Sequence, residues 1–170
     1  MLRIVLVVML ALLVCAGPGW AGAITVGGGW YDFSWGSGAP IPVLGNPFTF
    51  TTPPEGATLK VTDAFVAGDQ FEVFRDSTSL GLTPWVPATL SDWTDDPDFA
   101  YSDPRWSHRA WYLPGGEAVN ININVVTNPW GSGSAYLRVD AGAGVPEPGT
   151  VLLLGAGLLA LAAIRRHRLN

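Results

Sequence analysis

Val119-Asn120-Ile121-Asn122-Ile123-Asn124-Val125 alternates apolar and polar side chains without a break. Successive side chains of an extended strand point to opposite faces, so this period of two predicts a half-buried strand with the valines and isoleucines inward. The three asparagines are expected to face water. Working outward, Phe48-Thr49-Phe50-Thr51 and Thr58-Leu59-Lys60-Val61-Thr62 alternate in the same way. Phe71-Glu72-Val73-Phe74 and Ala135-Tyr136-Leu137-Arg138-Val139 read as further short strands. Turn signals separate them at Ala67-Gly68-Asp69, Asp76-Ser77-Thr78, Pro114-Gly115-Gly116 and Asn128-Pro129-Trp130-Gly131. No helical period is evident between residues 24 and 144. Short strands at this spacing predict one all-β domain, an antiparallel β-sandwich of jelly-roll-like character.

The segments flanking this domain are of a different kind. Arg3 precedes an apolar stretch from Ile4 to Ala16, and Gly17-Pro18-Gly19 breaks it before the small residues Ala21-Gly22-Ala23. Residues 1–23 therefore read as a secretory signal peptide, a substrate for signal peptidase, with cleavage expected after Ala23 and after Ala21 as the alternative. The single cysteine, Cys15, lies in this segment. A mature chain cut there has no disulfide and no thiolate metal site, so the aromatic residues are expected to supply much of the core.

At the other flank, Val145-Pro146-Glu147-Pro148-Gly149 precedes an uncharged apolar run at 150–164, closed by Arg165-Arg166-His167-Arg168. As a helix, residues 150–164 span about 22 Å, against a bilayer core of about 30 Å. The expectation is a short transmembrane helix, marginal as a permanent anchor. Arg165, Arg166 and Arg168 form its cytoplasmic stop signal, which leaves the bulk of the chain outside the cytoplasm.

The three elements of residues 145–170 resemble the PEP-CTERM sorting domain, also described as an ice-binding protein C-terminal domain. The resemblance implies that Val145, Pro146, Glu147 and Pro148 form the processing motif. It implies an exosortase-type membrane enzyme as partner and a Gram-negative host that makes extracellular polysaccharide. The implied course is export, tethering at the inner membrane, then transfer to the envelope or the medium. A second stretch, Leu59 to Phe74, is similar to a segment that recurs in exported proteins, and it brings no chemistry with it.

Charge narrows the function of the central segment. Residues 24–144 carry thirteen acidic side chains against five basic ones, a net of −8. So acidic a surface repels phosphate backbones and excludes nucleic acid as a partner. Catalytic signatures are missing. His108, beside Ser107, forms no triad, because neighbours on a strand point to opposite faces. His-Glu metal spacings, phosphate loops and nucleophile elbows are absent.

Two features point to binding. Asp92, Asp95, Asp96 and Asp98 crowd carboxylates of the kind calcium favours, although the run lacks the glycine and closing glutamate of an EF-hand. A solvated loop with turn-capping aspartates is the preferred reading, and no cofactor is expected otherwise. Tryptophan is abundant, at eight in the chain. Trp85, Trp93, Trp106 and Trp130 lie in Pro/Gly/Asp-rich surroundings, where exposed rings can stack on sugars. Core filling is the competing role for each ring. The expectation is a non-enzymatic binding or structural module associated with extracellular polysaccharide. The alternative is a glycan-active enzyme that uses an Asp/Glu pair.

Overall fold

A computed structural model describes residues 22–142. The signal segment up to Ala21, the sorting motif, the membrane helix expected at 150–164 and its arginine stop lie outside the described residues. Among the described residues no helix is long and apolar enough to cross a membrane.

The regular secondary structure of the described residues is almost wholly strand. The strands are β1 (Gly22–Ala23), β2 (Trp30–Trp35), β3 (Ile41–Pro42), β4 (Phe48–Thr51), β5 (Ala57–Asp63), β6 (Phe65–Val66), β7 (Gln70–Arg75), β8 (Thr78–Leu82), β9 (Trp93–Thr94), β10 (His108–Leu113), β11 (Ala118–Thr127) and β12 (Gly133–Ala141). One short helix, α1 (Pro97–Ser102), interrupts them. A first sheet has the order β1-β4-β11-β7-β8, with β3 also on β11; a second has β10-β5-β12-β2; β6 and β9 form a small third. Pairing is antiparallel throughout except between β1 and β4, which run parallel.

β11 is the axis of the first sheet, and its alternation does what period two requires. Val119, Ile121, Ile123 and Val125 are all fully buried. The intervening asparagines are less free than the sequence suggests. Asn120 donates to the Asp76 carboxylate at 2.8 Å and Asn122 to the Asp76 carbonyl at 3.2 Å. They fasten the β7–β8 turn, where Asp76 adopts a left-handed φ of 54°, a conformation aspartate tolerates better than most residues.

The two larger sheets share one core. The inward residues of β5 and β12 (Leu59, Val61, Leu137, Val139) face those of β4, β7 and β11. Aromatic rings join the layers. Phe33 of β2 lies 6.0 Å from Phe48 and meets Phe71 edge-on at 5.6 Å, and Trp35 meets Phe71 edge-on at 5.3 Å. Burying one such side chain contributes about 1.5–3 kcal/mol, and edge-on pairs add roughly 0.5–1.5 kcal/mol. These contacts do the work that disulfides do in many exported domains.

The helix α1 departs from the expectation of no helical segment. Asp96 caps it, accepting from the backbone N–H groups of Asp98 and Phe99, and Pro97 takes a first-turn position. This is the chemistry of a helix start. The helix lies on the outer face of the second sheet. There the Tyr101 ring sits 5.6 Å from Trp30 and 5.1 Å from His108, with the Lys60 ammonium 5.3 Å from its centre.

Candidate functional site

The most constrained part of the molecule is where the chain leaves β5 for β7. Asp63, the last residue of β5, is completely buried. Its carboxylate accepts from the backbone N–H groups of Ala64 (2.9 Å), Gly68 (3.0 Å) and Asp69 (3.1 Å). One side chain thus folds six residues into a closed loop. Gly68 has φ +136°, and a Cβ there would stand 2.7 Å from Ala88, so only glycine fits. Phe65 is held at a left-handed φ of 58°. For a bulky residue this costs about 1–3 kcal/mol, and strain of this kind concentrates at functional sites.

Two further segments close over the loop. The chain before β9 is fixed by Thr89 N–H donating to the Ala67 carbonyl and Ala67 N–H to the Asp92 carbonyl. From the turn between β11 and β12, the Trp130 indole N–H also donates to the Ala67 carbonyl, at 3.2 Å. Among these segments lies a cavity of about 450 Å³, lined by Trp35, Phe65, Asp69, Leu90 and Trp130 with Ser132 and Ser134. Its size and its apolar, aromatic walls are those of a small-molecule site.

Asp69 is the chemically exceptional member. It is 3% exposed, and its Oδ1 is fully buried with no hydrogen-bond partner among the described residues. Burial pushes its pKa up to about 7. Burial, and secondarily the charge of Asp69, also push Asp63 well above the usual carboxylate range, against the pull of its three amide donors. A second unmet group borders the same cavity: the indole N–H of Trp35 is buried without an acceptor. Buried polar groups are nearly always paired, so each exception calls for an explanation.

The five basic side chains are all engaged elsewhere. Lys60 pairs with Asp140, Arg75 with Glu117, Arg105 with Asp92 and Asp103, and Arg138 with Asp98 and Asp140. Arg109 donates to the Leu82 carbonyl and lies over Trp111. No cation of the described domain serves Asp69.

The residues singled out from sequence distribute unevenly around this site. Trp130 lines the cavity. Trp93 is 60% exposed and pairs through its backbone with Val66, beside Phe65. Trp85 is 65% exposed on the stretch that follows β8. Trp106 does not belong with them. It is 1% exposed, packed with Ala67 and Ala100, met edge-on by Phe99 and covered by Arg105. Its ring is core, so the expectation that it contacts a ligand is corrected.

The four aspartates read as calcium ligands do not converge. Asp92 pairs with Arg105, Asp96 caps α1, and Asp98 accepts from the Trp30 indole at 2.9 Å and from Arg138 at 3.2 Å. Asp95 enters a contact through its carbonyl, which accepts from the Tyr136 hydroxyl. Among the described residues no group of three His, Cys, Asp or Glu side chains is placed to hold a metal. Asp63, Asp69 and Trp35 were not anticipated as site residues. The readable signal was local: Ala67-Gly68-Asp69 is a turn, but one that opens directly into the apolar strand β7.

No curated protein and no solved structure matches the chain. Beyond the described residues, residues 144–167 fit the family model of the PEP-CTERM protein-sorting motif, and the chain therefore carries that motif.

Proposed function

We propose that this chain is a non-catalytic glycan-binding module, delivered by exosortase to the cell envelope or its polysaccharide matrix. The observation that carries the reading is the cavity bordered by Trp130 and Phe65, with Trp93 exposed beside it. Flat rings supply stacking surfaces for sugars, and the Ser132 and Ser134 hydroxyls that line the cavity are suited to sugar hydroxyls. The PEP-CTERM motif supports export and handling by a membrane processing enzyme. A hydrolase would need a second carboxylate across the cavity from Asp69. Asp69 is the one carboxylate among the described residues that lines it, which supports binding over hydrolysis.

The test is a fluorescence titration of the full chain, purified in mild detergent, with oligosaccharides from the host's own extracellular polysaccharide. Saturable quenching that Trp130→Phe abolishes is expected; an unchanged spectrum at every concentration defeats the reading. Delivery is tested by the intact mass of the protein with and without the sorting enzyme. Loss of the tail only in the presence of the enzyme is expected, and the same mass in both strains overturns it.

A further inference from the structure

We infer that the cavity beside Asp69 takes a primary ammonium group carried on a sugar ring, as in a de-N-acetylated amino sugar. The inference rests on the glycan reading of this cavity and adds the charge of the sugar to it.

Three observations carry it. First, Asp69 is a buried carboxyl on the cavity wall, with no hydrogen-bond partner for its Oδ1 and no cation among the described residues. Burying an ionised carboxylate is costly unless it is paired. All five basic side chains of the described residues are engaged elsewhere, which leaves the Asp69 carboxyl open to a cation carried by a ligand. Second, the other walls are aromatic. Trp130 and Phe65 border the cavity, with the core residue Trp35 at its base, and ring faces attract ammonium groups within about 6 Å. A carboxylate set among aromatic rings matches a cation better than it matches a neutral hydroxyl, because charge-assisted hydrogen bonds are roughly twice as strong as neutral ones. Third, the net charge of −8 on residues 24–144 draws cationic ligands and repels polymers built on uronic acids.

The serines lining the cavity are suited to ring hydroxyls of the same sugar. The ligand class is therefore a ring that carries hydroxyls and one amine. A phosphate, a sulfate or a carboxylated sugar is the wrong match.

The experiment compares three short oligosaccharide series on the full-length protein in detergent: glucosamine, N-acetylglucosamine and glucose oligomers. Binding is read by tryptophan fluorescence and by calorimetry. The expected result is a preference for the free amine of about tenfold or more, equivalent to one charge-assisted contact. Asp69→Asn is expected to erase the preference while the melting transition stays cooperative. Asp95→Asn removes an equal charge from a carboxylate outside the cavity and is expected to preserve the preference, which separates a site from general attraction to an acidic surface. Equal or tighter binding of the N-acetylated or neutral series by the native protein overturns the inference and leaves the glycan reading standing. Equal loss in Asp69→Asn and Asp95→Asn also overturns it. Failure of all three series to bind overturns the inference, while the glycan reading falls only if the host's own oligosaccharides also leave the spectrum unchanged.

Discussion

The Asp63 carboxylate accepts the backbone N–H of Asp69 at 3.1 Å, so one buried acid positions another. Asp63 is satisfied three times over and faces the interior, whereas Asp69 is unpaired and lines a cavity. The first carboxyl is scaffold. It spends its hydrogen-bonding capacity on the loop and leaves Oδ1 of the second with nothing to bind among the described residues.

Removing the scaffold acid is expected to be costly. Asp63→Ala leaves three buried N–H groups without acceptors, and each unmet group costs about 1–3 kcal/mol. The expected destabilisation is about 3 kcal/mol or more, measured by urea unfolding. Trp130, tied to the same loop through the Ala67 carbonyl, should report it as a shifted emission maximum under native conditions. A variant with native stability and native emission would mean that the three bonds do not hold the loop.

The tryptophans divide into two groups that truncation should separate. Trp106 is enclosed by Ala67, Ala100, Phe99 and Arg105, and Trp106→Ala is expected to cost about 3–5 kcal/mol. Trp85 and Trp93 are mostly exposed, and their alanine variants should stay within about 0.5 kcal/mol of the native protein. Denaturant midpoints of the three variants check the division. A large loss at Trp93 would show that its ring packs rather than presents itself.

Local pattern and long-range packing divide what was legible here. The alternation at Val119–Val125 and at Phe48–Thr51 located two core strands because strand period is a local property. The alternation of Tyr31, Phe33 and Trp35 was equally available and would have given β2. Trp106 misled because its chain neighbours are polar, while the residues that bury it, Ala67 and Ala100, come from other segments. The run Asp92–Asp98 reads as a charge cluster until Asp96-Pro97 is taken as a helix start. The cavity was the least legible feature. It joins the Ala64–Asp69 loop, Leu90 and Trp130, and nothing local marks residues that far apart as neighbours.

The pairing of β1 bears on maturation. Gly22 and Ala23 pair in parallel with Phe48 and Thr49, and the Gly22 N–H donates to the Gly45 carbonyl at 3.1 Å. Cutting after Ala23 removes this strand, and cutting after Ala21 keeps it. Both sites offer the small residues a signal peptidase needs. The pairing favours the alternative cut after Ala21 over the cut after Ala23 expected from sequence, so the first residue read by N-terminal sequencing of the exported protein should be Gly22. A first residue of Ile24 would show that β1 is lost on export.

Asp69 should make stability fall as pH rises. Its folded pKa of about 7 lies above the ordinary aspartate value near 3.9. Below about pH 4 both states carry the proton and the group contributes nothing. Between about pH 4 and pH 7 the unfolded chain has released a proton that the folded chain retains, so each unit of pH removes up to about 1.4 kcal/mol. Above pH 7 the penalty is complete. Asp63, raised in the same direction, adds to it. Allowing for water in the cavity, the contribution of Asp69 is roughly 2–3 kcal/mol. Asn mimics the protonated carboxyl in shape, so Asp69→Asn should match the native protein at pH 3.5 and melt several degrees higher at pH 8. A difference in melting temperature that stays constant across this window would mean that Asp69 titrates normally. A gain at pH 8 coupled to loss of amine binding would show that the protein tolerates an unpaired carboxylate for the sake of its ligand.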